Sequence, residues 1–433
     1  MALSIILYVQ IAFFIQRFES GILIPAYTLV FICYIVLVKN YSKSDVQINY
    51  LLGLAFLVRF LLVFAFPSLS DDIYRFIWDG RLLNAGIHPF SEVPSFYMIS
   101  GNEMAGLDQS LYTKLNSPEY FTIYPPFAQF IYWVSTLATD SIYISNIIIK
   151  SLIFLAEVGS IIIGLKLLER YKLQKRNILM YALNPLVILE LTGNVHFEAF
   201  MIFFLLLSVY LMHQYAIVKS GFYMAASIAS KLIPVIFLPL FLRRLKLAPL
   251  IRWYAAILVF SLLFFIPLFQ SDFVHGMGES LGLYFQKFEF NASIYYIIRE
   301  IGYWFKGYNI IGTAGKFLAL ASFLSIMGIS LFYRKNANIF ELMMLALTVY
   351  LLLSTTVHPW YVTTILMVSI FTKFRFTIVW SLLIFFTYIG YTETGFQENM
   401  LIVILEYVVI VTILIDELYE VSKNRTPWLA KNV

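Results

Sequence analysis

Residues 70–90 read Ser70-Asp71-Asp72-Ile73-Tyr74-Arg75-Phe76-Ile77-Trp78-Asp79-Gly80-Arg81-Leu82-Leu83-Asn84-Ala85-Gly86-Ile87-His88-Pro89-Phe90. Ser70 is placed to cap a helix whose first turn carries two aspartates, where carboxylates suit the macrodipole; Asn84 to Gly86, followed by Pro89, marks its end. Helical spacing sets Asp72, Arg75 and Asp79 on one face and Asp71, Tyr74, Trp78 and Arg81 near another. The stretch follows an apolar run at 47–66 long enough to cross a bilayer. Such a helix lies at the membrane–water boundary, anchored by its aromatic side chains. Adjacent carboxylates there, backed by two arginines, fit a general base or a cation site better than anchoring alone.

The rest of the chain reads as one whose solvent is mostly lipid. Of 433 residues, 61% are hydrophobic and 13% charged, where soluble domains hold about 45–50% and about 25%. Mean hydropathy is +0.82. These values exclude a cytosolic enzyme, a disordered chain and a nucleic-acid binder. The net charge of +5 matters less than where the charges sit. Cys33, the single cysteine, cannot form an intrachain disulfide. The first apolar stretch lacks a basic n-region and a small-residue cleavage site, so it reads as a retained helix.

Candidate spans fall at 3–18, 21–38, 47–66, 141–165, 178–192, 199–216, 248–269, 310–332, 339–357, 360–372, 376–391 and 400–418. Basic clusters between them (Lys39 and Lys43; Lys166 to Arg176; Arg243 to Lys246; Arg334 and Lys335; Lys373 and Arg375; Lys423 to Lys431) hold 17 of the 30 basic residues and set those loops in the cytoplasm. The loop at 67–120, with seven acidic and three basic residues, belongs outside, as does 270–309. Parity then demotes 121–138, which opens with Pro125-Pro126, to an interfacial helix. The stretch 221–242 runs from inside to inside and is broken at Lys231 and Pro234, as a re-entrant hairpin or two short helices. The expectation is an all-α, polytopic integral membrane protein: one domain over 1–433, about 12–14 transmembrane helices, both termini cytoplasmic and a large first outer loop with interfacial helices. Intramembrane Arg59 is placed either to snorkel outward or to pair with Glu157, and Lys150, Glu157, Glu190 and Glu341 to form internal pairs. The 270–309 loop gathers Phe285, Phe288, Phe290, Tyr295, Tyr296, Tyr303 and Trp304, suited to interfacial anchoring or sugar stacking. Asn291-Ala292-Ser293 matches a glycosylation sequon.

The run Asp71 to Phe90 resembles the acidic signature of bacterial mannosyltransferases that use polyprenyl-phosphate mannose, members of the GT-C superfamily of membrane glycosyltransferases. Further pieces are similar in the same order: Tyr124-Pro125-Pro126-Phe127-Ala128-Gln129, Asn184-Pro185 with His196-Phe197-Glu198, Lys231-Leu232-Ile233-Pro234 with Leu238-Pro239, and His358-Pro359-Trp360-Tyr361. The resemblance covers roughly residues 47–372. Two departures stand out: an extra helix pair precedes the acidic motif, and Glu198 stands where related sequences often carry aspartate.

The resemblance implies transfer of a sugar, mannose in the first instance, from a lipid phosphate to a glycan or glycolipid acceptor on the outer face of a bacterial inner membrane, with inversion. The acceptor hydroxyl must lose its proton to a carboxylate, and Asp71 and Asp72 are the candidates. Asp72 is preferred because it shares a face with Arg75. Lys231, at the turn of a broken segment, is the candidate for the leaving phosphate. Arg75, Asp79, Arg81, Tyr124, His196, Glu198, His358 and Tyr361 are the candidate substrate-binding residues; for Arg75 and Arg81 the alternative is simple pairing with Asp72 and Asp79. The chain's partners would be membrane lipid, the lipid-linked donor and the acceptor. No cofactor and no required metal are expected, since Asp71, Asp72 and His196 lack diagnostic ligand spacing. The rivals are a lipid or sugar transporter or flippase, a ligase of lipid-linked oligosaccharide, and a non-catalytic assembly subunit. Transport would want ionisable groups along a path through the midplane, whereas the densest charged motif here lies in an outer loop.

Overall fold

The computed structural model describes residues 1–269 and 271–432. In chain order the longer helices are α1 (Ala2–Phe14), α2 (Ser20–Asn40), α3 (Asp45–Val63), α4 (Asp72–Asn84), α5 (Pro126–Leu137), α6 (Ile142–Arg170), α7 (Glu198–His213), α8 (Ile217–Ser230), α9 (Leu247–Phe265), α10 (Ser271–Gln286), α11 (Ile294–Lys306), α12 (Ile311–Phe332), α13 (Ile339–Leu353), α14 (Tyr361–Ser369), α15 (Phe376–Leu383) and α16 (Met400–Ser422). Among the described residues the only strands are β1 (Tyr391–Thr392) and β2 (Gly395–Phe396), so the fold is all-α and polytopic. The side chain of Phe285, one of the loop aromatics, lies outside the described residues.

Local chemistry starts the helices where it should. Ser44, Ser141 and Asn338 each accept a backbone N–H from the first turn of α3, α6 and α13. Five helices, α2, α3, α6, α9 and α12, are long and apolar enough to cross a bilayer unaided. Residues 185–213 add a sixth if their two halves count as one span. The rest of the expected crossings resolve into shorter pieces of 10–17 residues (α1, α13 and 376–390) and irregular turns. The reason is continuity. In the 185–213 segment a wide turn at Ile188–Gly193 and a bend of 110° interrupt an otherwise apolar run. Such backbone survives at depth only under protein cover, and residues 177–202 are all buried.

The stretch 121–138 forms α5, twelve residues and about 18 Å long, too short to cross. In 221–242 the chain makes two short helical pieces: α8 stops at Ser230, Lys231 is extended (φ −161°, ψ 140°), and tight turns run from Ile233 to Phe241. α8 starts earlier than the sequence expectation, at Ile217.

The buried charges are structural clasps. Arg59 Nε donates to Glu157 Oε1 at 2.8 Å and its Nη1 to the Ala182 carbonyl, while Thr192 donates to Glu157; this joins α3, α6 and the bent segment. Among the described residues Lys150 pairs with no carboxylate. Its ammonium caps the end of α3 through the Leu62 and Ala65 carbonyls at 3.1 and 2.6 Å, a favourable place for a cation. Glu341 pairs with Arg334 and Tyr333.

The loops separate to two ends. At one end Lys175 meets Asp45, Arg243 the Leu331 carbonyl, Arg244 the Lys335 carbonyl and Arg334 the Val421 carbonyl. At the other end the α1–α2 loop, the 67–125 loop, residues 194–198, Lys231 and residues 355–361 come together.

Candidate functional site

α4 is the frame of that second end. Its start differs from the sequence expectation: the helix begins at Asp72 with Asp71, not Ser70, at the N-cap and no side-chain cap bond, while Ser70 Oγ accepts the Asp72 N–H at 3.3 Å from the turn before; beyond its end Gly86 takes φ +75°. Its packing against α5 depends on Gly80, where an added Cβ would stand 2.4 Å from the Tyr132 carbonyl oxygen. Phe76 stacks on Tyr132 at 4.4 Å and meets Tyr124 edge-on at 4.9 Å.

The charged residues of α4 divide into two groups. Arg75 Nε donates to Asp79 Oδ1 at 2.8 Å, and Gln129 donates to Asp79 Oδ2 at 2.9 Å. Arg75 also holds the Tyr120 and Ser117 carbonyls. Arg81 binds the Gly106 and Asp140 carbonyls. All three side chains therefore brace the outer loop, and the shared helical face does not make Arg75 a partner of Asp72. Asp72 faces elsewhere. Half-buried, it accepts Asn116 Nδ2 at 2.8 Å and a hydrogen bond from the Tyr124 hydroxyl. Asp71 forms an ion pair with Arg17.

Opposite Asp72 sits a second charged pair. Lys231 Nζ bonds Glu198 Oε1, and Glu198 is wholly buried while Lys231 stays 24% exposed. The ammonium lies 4.9 Å from the centre of the Tyr361 ring. Trp360 is sandwiched between two imidazoles, His196 at 3.8 Å and His358 at 4.4 Å. Behind His196, Nε2 lies 3.3 Å from Glu190, which accepts the Tyr388 hydroxyl at 2.9 Å. The structure thus brings Asp71, Asp72, Tyr124, His196, Glu198, Lys231, His358 and Tyr361 together at one end and leaves Arg75, Asp79 and Arg81 bracing the loop beside them.

The electrostatics suit proton transfer at Asp72. Burial pushes its carboxyl above the usual range, against the opposing pull of Asn116, Lys231 and Tyr124. Burial, with the Lys231 charge, pushes the His358 imidazole down to about 3, so it is neutral at neutral pH. Glu198 Oε2 and His358 Nδ1 are buried without a hydrogen-bond partner. Among the described residues no three His, Cys, Asp or Glu side chains gather as a metal site.

Several contributors escape sequence reading. Arg17 and Asn116 carry no motif. Asn291 carries a misleading one. It is wholly buried in a left-handed conformation (φ +44°), its N–H donates to Glu398, its amide donates to Glu406, and its carbonyl accepts from Tyr407. This fixes Phe290, which pairs with the 355–357 backbone and places its ring 4.7 Å from His358. An apolar groove of about 400 Å³ runs between the 233–241 turns, α12 and the end of α13, lined by Leu238, Pro239, Leu318, Ile326 and Leu353. Its lining also includes Val235, four residues after Lys231, and Thr355, three residues before His358.

A family model described as Alpha-(1->6)-mannopyranosyltransferase, N-terminal domain, matches residues 14–245, a little over half of the chain. That range takes in Arg17, Asp72, Tyr124, Glu198 and Lys231. Among curated proteins there is no match.

Proposed function

The chain belongs to the alpha-(1->6)-mannopyranosyltransferase family, and from that premise we propose that it moves mannose from a polyprenyl-phosphate donor to a glycan or glycolipid acceptor at the outer membrane face. The observation that supports the choice of donor is the apolar groove lined by Val235 to Pro239 and by Leu353 to Thr355, which offers a polyprenyl chain an apolar bed flanked in sequence by Lys231 and His358. A soluble nucleotide sugar needs no such groove.

In this reading the lipid chain lies in the groove and its phosphate meets Lys231, which exchanges part of its contact with Glu198 for the phosphate oxygens. The mannose ring rests against the His196–Trp360–His358 stack and Tyr361. The acceptor hydroxyl attacks the anomeric carbon, the bond from that carbon to the phosphate oxygen breaks, and Asp72 takes the hydroxyl proton. The leaving phosphate keeps the bond's electron pair, and Lys231 stabilises that charge. Attack opposite the phosphate inverts the anomeric centre, so a β-linked donor gives an α-linked product.

A transport reading finds less support. The buried Arg59–Glu157 pair and the Lys150 cap are internally engaged, so these groups are not free to serve as steps of a transport path. The test is reconstitution of the purified protein in vesicles with radiolabelled mannose on either a polyprenyl phosphate or a nucleoside diphosphate. Transfer is expected from the lipid donor alone. Transfer from the nucleotide sugar would overturn the donor, and uptake of sugar without covalent product would overturn the reaction.

A further inference from the structure

The helix pair α1–α2 precedes the other elements of the proposed site, yet its connecting loop ends there. Arg17, in this loop, pairs with Asp71 Oδ2, and its guanidinium lies 5.0 Å from the centre of the Tyr391 ring. The loop is fixed at both sides: Gln16 N–H donates to Glu19 at 2.7 Å, and Ser68 Oγ donates to the Ile11 carbonyl at 3.4 Å. Asp72, one residue on, is held by Asn116 and Tyr124, both neutral. Two adjacent carboxylates therefore stand in different surroundings. One is held in an ion pair by a guanidinium. The other accepts neutral donors.

We propose that Arg17 is a positioning residue of the transfer site: by holding Asp71 in an ion pair it makes Asp72 the carboxylate that takes the acceptor's proton. The proposal rests on the reading of Asp72 as the base. Arg17 draws the Asp71 side chain away from Asp72 and cancels a like charge that would oppose Asp72 ionisation. The other groups facing Asp72 are Asn116 and Tyr124 from the first outer loop, Tyr132 of α5, Lys231 after α8, Glu198 at the start of α7, and Tyr391 of β1. Lys231 is already paired with Glu198, so it does not replace Arg17 at Asp71.

The experiment is the pH dependence of kcat/KM in vesicles for the wild type, Arg17→Gln, Arg17→Lys, Asp71→Asn and the Arg17→Gln/Asp71→Asn double variant. Loss of the guanidinium leaves Asp71 charged beside Asp72, so the acid limb of Arg17→Gln should move up by about one pH unit. Arg17→Lys should hold it near the wild-type position. The double variant, with both charges gone, should bring it back. A merely structural role would lower folded yield or the rate at every pH and leave the limb in place. An unmoved limb in Arg17→Gln, or a limb that stays displaced in the double variant, overturns the proposal. Wild-type turnover by Asp72→Asn would instead remove the base assignment itself, whatever Arg17 does.

Discussion

Lys231 and Glu198 show how one contact serves both folding and chemistry. Glu198 is wholly buried, so removing its cation strands a carboxylate at a cost toward the lower end of the ~3–5 kcal/mol typical of broken buried pairs, since Lys231 is partly exposed. Lys231→Met should lower the thermal midpoint in detergent and abolish transfer. Adding Glu198→Gln should restore the midpoint without restoring transfer; recovered transfer would mean that Lys231 exists only to satisfy Glu198. Asp72 offers a second measure. A base works deprotonated, so activity is lost as pH falls through its raised pKa, and the acid limb should lie above the about 3.9 of a free aspartate. Asp72→Asn should cost about 10²–10⁴ in kcat with the protein still folded. At this scale the adjacent carboxylates at the membrane boundary exposed Asp71 and Asp72, a lysine in an apolar run exposed Lys231, and Glu198 entered through the resemblance. The sequence hid those that act only through a distant partner. Asn116 reaches Asp72 across 44 positions, and no local pattern carries that pairing. For Arg75 it left phosphate binding and pairing with Asp72 or Asp79 open, and the structure shows the Asp79 pair; helical spacing shows which residues share a face and not which way a long side chain turns.

Among elements, the contact of α4 with α5 is the one that sets the site. An added methyl at Gly80 meets backbone, the Tyr132 carbonyl, which cannot rotate away. Gly80→Ala should destabilise by about 1–3 kcal/mol and displace the start of α4, lowering kcat more than Ala substitution at the open Gly53 of α3. Equal thermal midpoints for the two variants would show that α4 and α5 can slide apart freely. The class of the elements was legible, and so was the break at Lys231, because Pro234 and a lysine in an apolar run both argue against a continuous helix. The count was less so. Hydropathy measures composition over a window, and the 185–213 segment keeps an apolar composition through a bend of 110°. Only the burial of residues 177–202 on all sides makes that bend tolerable, and burial is a property of the assembled bundle.

For the whole molecule, the gathering of Lys175, Arg243, Arg244, Arg334 and Lys335 at the end away from the candidate site favours a cytoplasmic basic end and an outward site. With Cys33 replaced, a single cysteine at exposed Glu103 should react with an impermeant maleimide on intact cells, and one at Lys172 should react only after permeabilisation. The opposite pattern would invert the topology and the proposed side of transfer. The interior position of Asn291 has a practical consequence for production. In a eukaryotic host the outward face becomes the lumenal face, and oligosaccharide is attached to the sequon Asn291-Ala292-Ser293 while the nascent chain is still extended. A chain so modified carries a bulky polar group on an amide that must end within bonding reach of Glu406 and wholly out of solvent, so it has no route to this fold. Poor yield from yeast or insect cells, relieved by blocking that modification, would trace to one asparagine rather than to the apolar bulk of the protein.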